Sequence, residues 1–150
     1  MCEYCGCQEI EAIALLTAEH EALRSIAREA TVATRNRDHG AAVSAVRKLA
    51  ERLAPHTRIE EEGLFPAMAA EFGDHMRSLI EDHRNLEATL ALLAAAPHSD
   101  ANWTARLDGA VADLFEHILR EQDGVFPAAL ASLAPEQWDR LDAVRAEVTC

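Results

Sequence analysis

Apolar residues recur at every third or fourth position through most of the chain, the spacing that lines one face of an α-helix. A first stripe runs Ile13, Leu16, His20, Leu23, Ala27 and Ala30, and a second Val46, Leu49, Leu53, His56, Glu60, Gly63 and Ala67. A third runs Leu79, His83, Leu86, Leu90 and Leu93, and a fourth Leu107, Ala110, Leu114, His117, Glu121 and Gly124. Turn-forming residues cluster at 36–40, 72–74, 97–101 and 133–135, so helices are expected over 8–34, 41–71, 75–95, 102–132 and 136–148. Pro55, Pro66 and Pro127 fall inside these spans and each removes a backbone donor, so kinks or local breaks are expected there. Short connections make successive helices antiparallel neighbours. The expected fold is all-α: an up-down-up-down four-helix bundle over 8–133, after a cysteine-rich tail at 1–7 and before a short fifth C-terminal helix within 134–150.

Composition narrows the partners more than the fold. With 150 residues the chain suits one domain with a continuous core. A formal net charge of −12 leaves no basic patch for nucleic acid or an anionic membrane, and neither is expected as a partner. The longest apolar run, 90–96, is far short of the roughly 20 residues a membrane helix needs. The first residues carry acid and cysteine instead of a charged-then-apolar leader, so a cytoplasmic location is expected.

The stripes themselves hold residues foreign to an apolar core. Each contains one histidine, and the second and fourth add a glutamate one turn later. Burying such groups unpaired costs several kcal/mol per ionised group. The two histidine–glutamate segments are copies of each other: the twelve residues from His56 through Glu60, Gly63, Phe65 and Pro66 to Ala67 align without a gap on His117, Glu121, Gly124, Phe126, Pro127 and Ala128. A weaker echo links Glu19-His20 and Leu23 to Asp82-His83 and Leu86. The chain thus reads as two helical hairpins, and a pseudo-two-fold axis would gather four histidines and two glutamates at mid-height. Residues i and i+4 share a helical face, so an imidazole can bind one ion while the carboxylate one turn on reaches a second. Such nitrogen and oxygen donors suit iron, manganese or zinc and offer nothing to copper(I) or an iron–sulfur cluster. A single histidine on an apolar face is ordinarily a hydrogen-bonded core residue, and a single HxxxE is ordinarily a surface ion pair. The repeated set is what departs from both. His39, His75 and His98 fall in turns or at helix ends and read as ordinary polar residues.

At these positions the sequence resembles the hemerythrin-like, or HHE cation-binding, family over about residues 8–133, in an H–HxxxE–H–HxxxE variant with Phe-Pro after each glutamate. The resemblance implies a non-haem di-iron centre with oxo or hydroxo and carboxylate bridges. It makes His20, His56, His83 and His117 terminal ligands and Glu60 and Glu121 the bridges. Oxygen-carrying members have a second histidine on the third helix and an aspartate closing the fourth. Here Glu87 stands in the histidine's place, as either a replacement ligand or a solvated glutamate, with Glu61 a weaker candidate. A carboxylate or water in place of an imidazole changes the metal's charge and redox poise, which favours redox chemistry or sensing over oxygen storage. Ferritin-type Glu-x-x-His pairs are absent from the sequence, and the only tyrosine, Tyr4, lies outside the expected bundle.

Three function classes follow. The leading one binds or reduces dioxygen, hydrogen peroxide or nitric oxide in redox or nitrosative stress, as a peroxidase or nitric-oxide-consuming oxidoreductase with a redox partner. A sensor would bind such a small diatomic or peroxide ligand without turnover, and a structural site would merely staple the bundle. Cys2, Cys5 and Cys7 add a CxxCxC cluster, and Cys150 ends the chain. These thiols suit a zinc site completed by Cys150 or His75, a thiol–disulfide switch, or an idle tail.

Overall fold

The structure, a computed structural model, describes residues 7–149, with side chains from residue 11. Helix α1 (Cys7–Arg35) leads through a turn, in which Arg37 has φ 58°, into α2 (His39–Ile59). Asp38 caps α2 by accepting from the Ala41 amide at 3.0 Å, so the helix begins two residues earlier than the turn signal implied and absorbs Gly40. Helix α3 (Phe65–Ala95) bends at Phe72, whose φ of −125° and ψ of 33° break the helical path where the 72–74 turn was expected. Helix α4 (Ala101–Arg120) is capped by Asp100, which accepts from the Trp103 amide at 2.8 Å. Short α5 (Phe126–Ser132) and α6 (Pro135–Thr149) complete the chain, and no strand occurs among the described residues.

Four arms result: α1; α2 continued to the bend at Phe72; the remainder of α3; and α4 continued through α5. Each packs on the next and α1 closes against α4, the expected all-α up-down-up-down bundle with a fifth C-terminal helix. Pro55 lies inside α2 without interrupting it, and Pro66 and Pro127 do not simply kink their arms. Wide π-helical turns occupy Glu60–Leu64 and Glu121–Val125, immediately before each Phe-Pro pair. Phe65 donates its amide to Glu60 and Phe126 to Glu121, while Pro66 and Pro127 fall in the first turn of the next segment, where no amide donor is needed. The extra residue lets Glu60, Leu64 and Phe65 all face inward.

Two apolar clusters divide the core. One joins Leu23, Leu53, Leu86, Leu114 and Ile118, and the other Leu16, Ile59, Leu64, Leu79 and Val125. On every arm the stripe histidine lies between members of the two clusters.

Helix α6 breaks the two-fold symmetry. It lies across the first π turn, with Leu141 and Val144 over Gly63. A Cβ on Gly63 would stand 2.8 Å from Leu141 Cδ1 and 3.2 Å from its Cα, whereas one on Gly124 would meet nothing within 4 Å among the described residues. Gly124, expected in the buried stripe, is exposed because among the described residues no counterpart of α6 covers that side. Gly63→Ala should therefore destabilise the metal-free protein by about 1–3 kcal/mol through overpacking. Gly124→Ala should be neutral or stabilising by up to about 1 kcal/mol. Urea unfolding of both variants checks the pair, and equal effects would contradict the packing of α6.

Candidate metal centre

The polar layer between the two apolar clusters contains His20 from α1, His56 from α2, His83 from α3, His117 from α4, and Glu60 and Glu121 from the two π turns. All six are buried, and His20, Glu60 and Glu121 have no exposed surface at all. They fall into two overlapping groups, His20, His56, Glu60, Glu121 and Glu60, His83, His117, Glu121, within each of which the donor atoms lie no more than 4.8 Å apart. Both glutamates belong to both groups. His56 Nε2 is 2.9 Å from Glu60 Oε1 and His117 Nε2 is 2.6 Å from Glu121 Oε1, each across one helical turn. His83 Nε2 reaches Glu60 Oε2 at 3.2 Å from the other hairpin, and His20 Nε2 stands 3.5 Å from Glu60 and 3.7 Å from Glu121.

Each imidazole is held from outside by its other nitrogen. His56 Nδ1–H donates to Glu19 at 2.8 Å, His83 to Glu61 at 2.7 Å, His117 to Asp82 at 3.1 Å and His20 to the Gln122 carbonyl oxygen at 2.9 Å. Arginines steady the three carboxylates: Arg145 meets Glu19, Arg84 meets Glu61, and Arg120 meets Asp82 at 2.6 Å. Acceptors at Nδ1 fix the tautomer that leaves an Nε2 lone pair facing the centre, the arrangement of metal-binding histidines. Phe126 stacks on His20 and Phe65 on His83, with ring centroids 5.5 and 5.8 Å apart. The Phe-Pro pair of each repeat thus fixes a histidine of the other hairpin.

Inside this frame the hydrogen bonding is incomplete. Both oxygens of Glu60, both of Glu121 and His20 Nε2 are buried without a hydrogen-bond partner of acceptable geometry among the described residues. His83 Nε2 and His117 Nε2 face each other at 3.0 Å although both rings donate outward at Nδ1. Two lone pairs at that distance repel unless a proton or cation lies near both. It is also the spacing of neighbouring octahedral corners for ligands at about 2.1 Å. The donor set fits a pair of cations.

Protons occupy the layer when cations do not. Burial alone lowers the His56 imidazole, but Glu60 beside it and the bond to Glu19 outweigh this and raise it to about 10. His83 is likewise lowered by burial and raised by Glu60 and Glu61, to about 9 overall. Burial raises Glu60, yet His56, His20 and His83 hold it well below the usual carboxylate range. Glu121 is pushed up to about 7 by burial and by the charge on Glu60.

The structure does not bring Glu87 into the layer. It lies on the flank of α3, bonded to Arg84 at 2.6 Å, because the inward stripe steps from His83 to Leu86 and Leu90. Glu61 supports the His83 ring from outside the group. His75 and His98 are exposed, and His39 bonds the Ala96 carbonyl at 3.1 Å, far from the layer along the chain. Cys2, Cys5 and Cys150 lie outside the described residues, as does the side chain of Cys7, whose backbone opens α1. The outer acceptors Glu19, Asp82 and Gln122 escaped the sequence reading as functional residues. Their signal was position: each directly precedes a stripe histidine or follows a stripe glutamate.

Fold and site together define a four-helix bundle built around a cation-binding layer of histidines and glutamates. Residues 11–129 match the family model of the hemerythrin HHE cation binding domain, and the chain belongs to that family. No curated protein and no solved structure gives a significant match.

Two outcomes test the layer. At neutral pH His56 and His83 are protonated in the metal-free protein and Glu121, pushed up to about 7, is partly so; metal uptake should therefore release more than two protons and weaken as pH falls. Calorimetry in buffers of different ionisation enthalpy reads this, and a buffer-independent heat would contradict it. Glu87→Gln should leave metal affinity within about twofold, while Glu60→Gln should lose more than the roughly 100-fold that an outer partner commands.

Proposed function

We propose that the chain is a non-haem di-iron protein that binds or reduces a small oxidant: dioxygen, hydrogen peroxide or nitric oxide. The observation that carries this reading is the pair of histidine pairs sharing two buried carboxylates. His20 and His56 would hold one ion, His83 and His117 the other, and Glu60 and Glu121 would span both. Bound iron supplies one-electron redox capacity and coordination positions that six residues cannot fill.

The chain's own residues do the rest. The outer carboxylates orient the imidazoles, and the apolar clusters on both sides keep bulk water out. Two small recesses reach the outer edges of the layer. One of about 190 Å³ approaches His56 between Ala22, Leu23, Pro55 and Ile59, and one of about 200 Å³ approaches His117 between Asp82, Asn85 and Arg120. Both are roomy enough for a diatomic molecule or peroxide to approach the layer. The placement of Glu87 outside the layer leaves, among the described residues, no replacement for the extra histidine of the oxygen carriers, which supports oxidant reduction or sensing over reversible oxygen storage.

The reconstituted protein should hold about two irons per chain, with near-ultraviolet ligand-to-iron charge-transfer bands. Many equivalents of peroxide or nitric oxide consumed with a reductant would identify an enzyme, and a single bound equivalent a sensor. Metal binding without any response to these oxidants would contradict the proposal and leave a structural staple.

A further inference from the structure

The outer hydrogen bonds obey the same two-fold relation as the repeat. The residue before each histidine of the first and third arms supports the histidine of the next arm: Glu19 holds His56 and Asp82 holds His117. The residue after each shared glutamate supports a histidine of the other hairpin: Glu61 holds His83 and Gln122 holds His20. Two pairs of equivalent positions therefore carry three carboxylates and one amide.

We infer that Gln122 makes the two cation positions unequal, the His83–His117 position binding first and the His20–His56 position holding the weaker, exchangeable ion. This rests on reading the layer as a metal pair. A carboxylate that accepts an Nδ1 proton pulls it outward and makes the opposite nitrogen a stronger donor. An amide oxygen accepts the same proton in a bond about half as strong. Both histidines of one position have carboxylate partners, and only His56 does at the other. Arg145, Arg84 and Arg120 offset much of the carboxylate charge at a distance. The difference therefore acts chiefly through the imidazole ring, and Gln122 is a positioning residue for one ion only. Glu61, its counterpart in the repeat, carries a glutamate in the same outer role, there paired with Arg84.

The test is anaerobic titration of the metal-free full chain with iron(II), alongside Gln122→Glu and Glu61→Gln, followed by calorimetry. Repulsion between two bound cations separates the steps in any case, so the location of the first ion and the response to the exchanges decide. Crystals carrying one equivalent should show anomalous scattering at His83 and His117. Gln122→Glu should tighten the weaker step by about 10-fold, and Glu61→Gln should loosen the tighter step by about 10-fold. A change confined to one binding step, with the other step at its wild-type affinity, separates these effects from a general structural role. If Gln122→Glu does not fold, Glu61→Gln and the one-equivalent crystal still decide. A first ion at His20 and His56, or variants that leave both steps unmoved, overturns the inference while the metal pair stands. Failure to bind iron at all overturns the metal-pair reading itself.

Discussion

Two carboxylates placed in a dry helical core set the terms for everything around them. Glu60 and Glu121 have no exposed surface and, among the described residues, no hydrogen-bond donor of acceptable geometry. Carboxylates in such surroundings are costly unless positive charge sits beside them. Without metal, protons on the flanking histidines supply that charge, as the raised His56 and His83 show. Cations would supply more of it, and the inward Nε2 atoms are placed to bind them.

The rest of the bundle holds this layer in place. Wide turns at Glu60–Leu64 and Glu121–Val125 re-phase two arms so that each glutamate and the apolar residues after it point inward together. The phenylalanines that follow stack on His83 and His20, locking rings of the opposite hairpin. Helix α6 bears on only one of the two turns, which is why Gly63 is confined and Gly124 is not. A duplicated element has thus diverged in its surroundings while keeping its centre.

Much of this was legible in the sequence because helical periodicity is a local property. The stripes placed His20, His56, His83 and His117 with their leucine neighbours, and the gapless repeat joined Glu60 to Glu121. Features that depend on which arm lies against which were not legible. Glu87 shares the i+4 relation that brings Glu60 to His56, yet the inward stripe on α3 passes to Leu86 and leaves it beside Arg84. Pro66 and Pro127 announced a break but not that it would widen the turn before them. The acceptors Glu19, Glu61, Asp82 and Gln122 reach across to histidines of another helix, so their roles appear only once the bundle is assembled.

X-ray absorption at the iron edge of the iron-loaded protein bears most directly on the shared-carboxylate layer. Two ions held by four imidazoles and two common carboxylates should give a first shell of nitrogen and oxygen only, with a metal–metal vector shorter than about 4 Å. Isolated ions with no such vector, or sulfur in the first shell, would contradict the account.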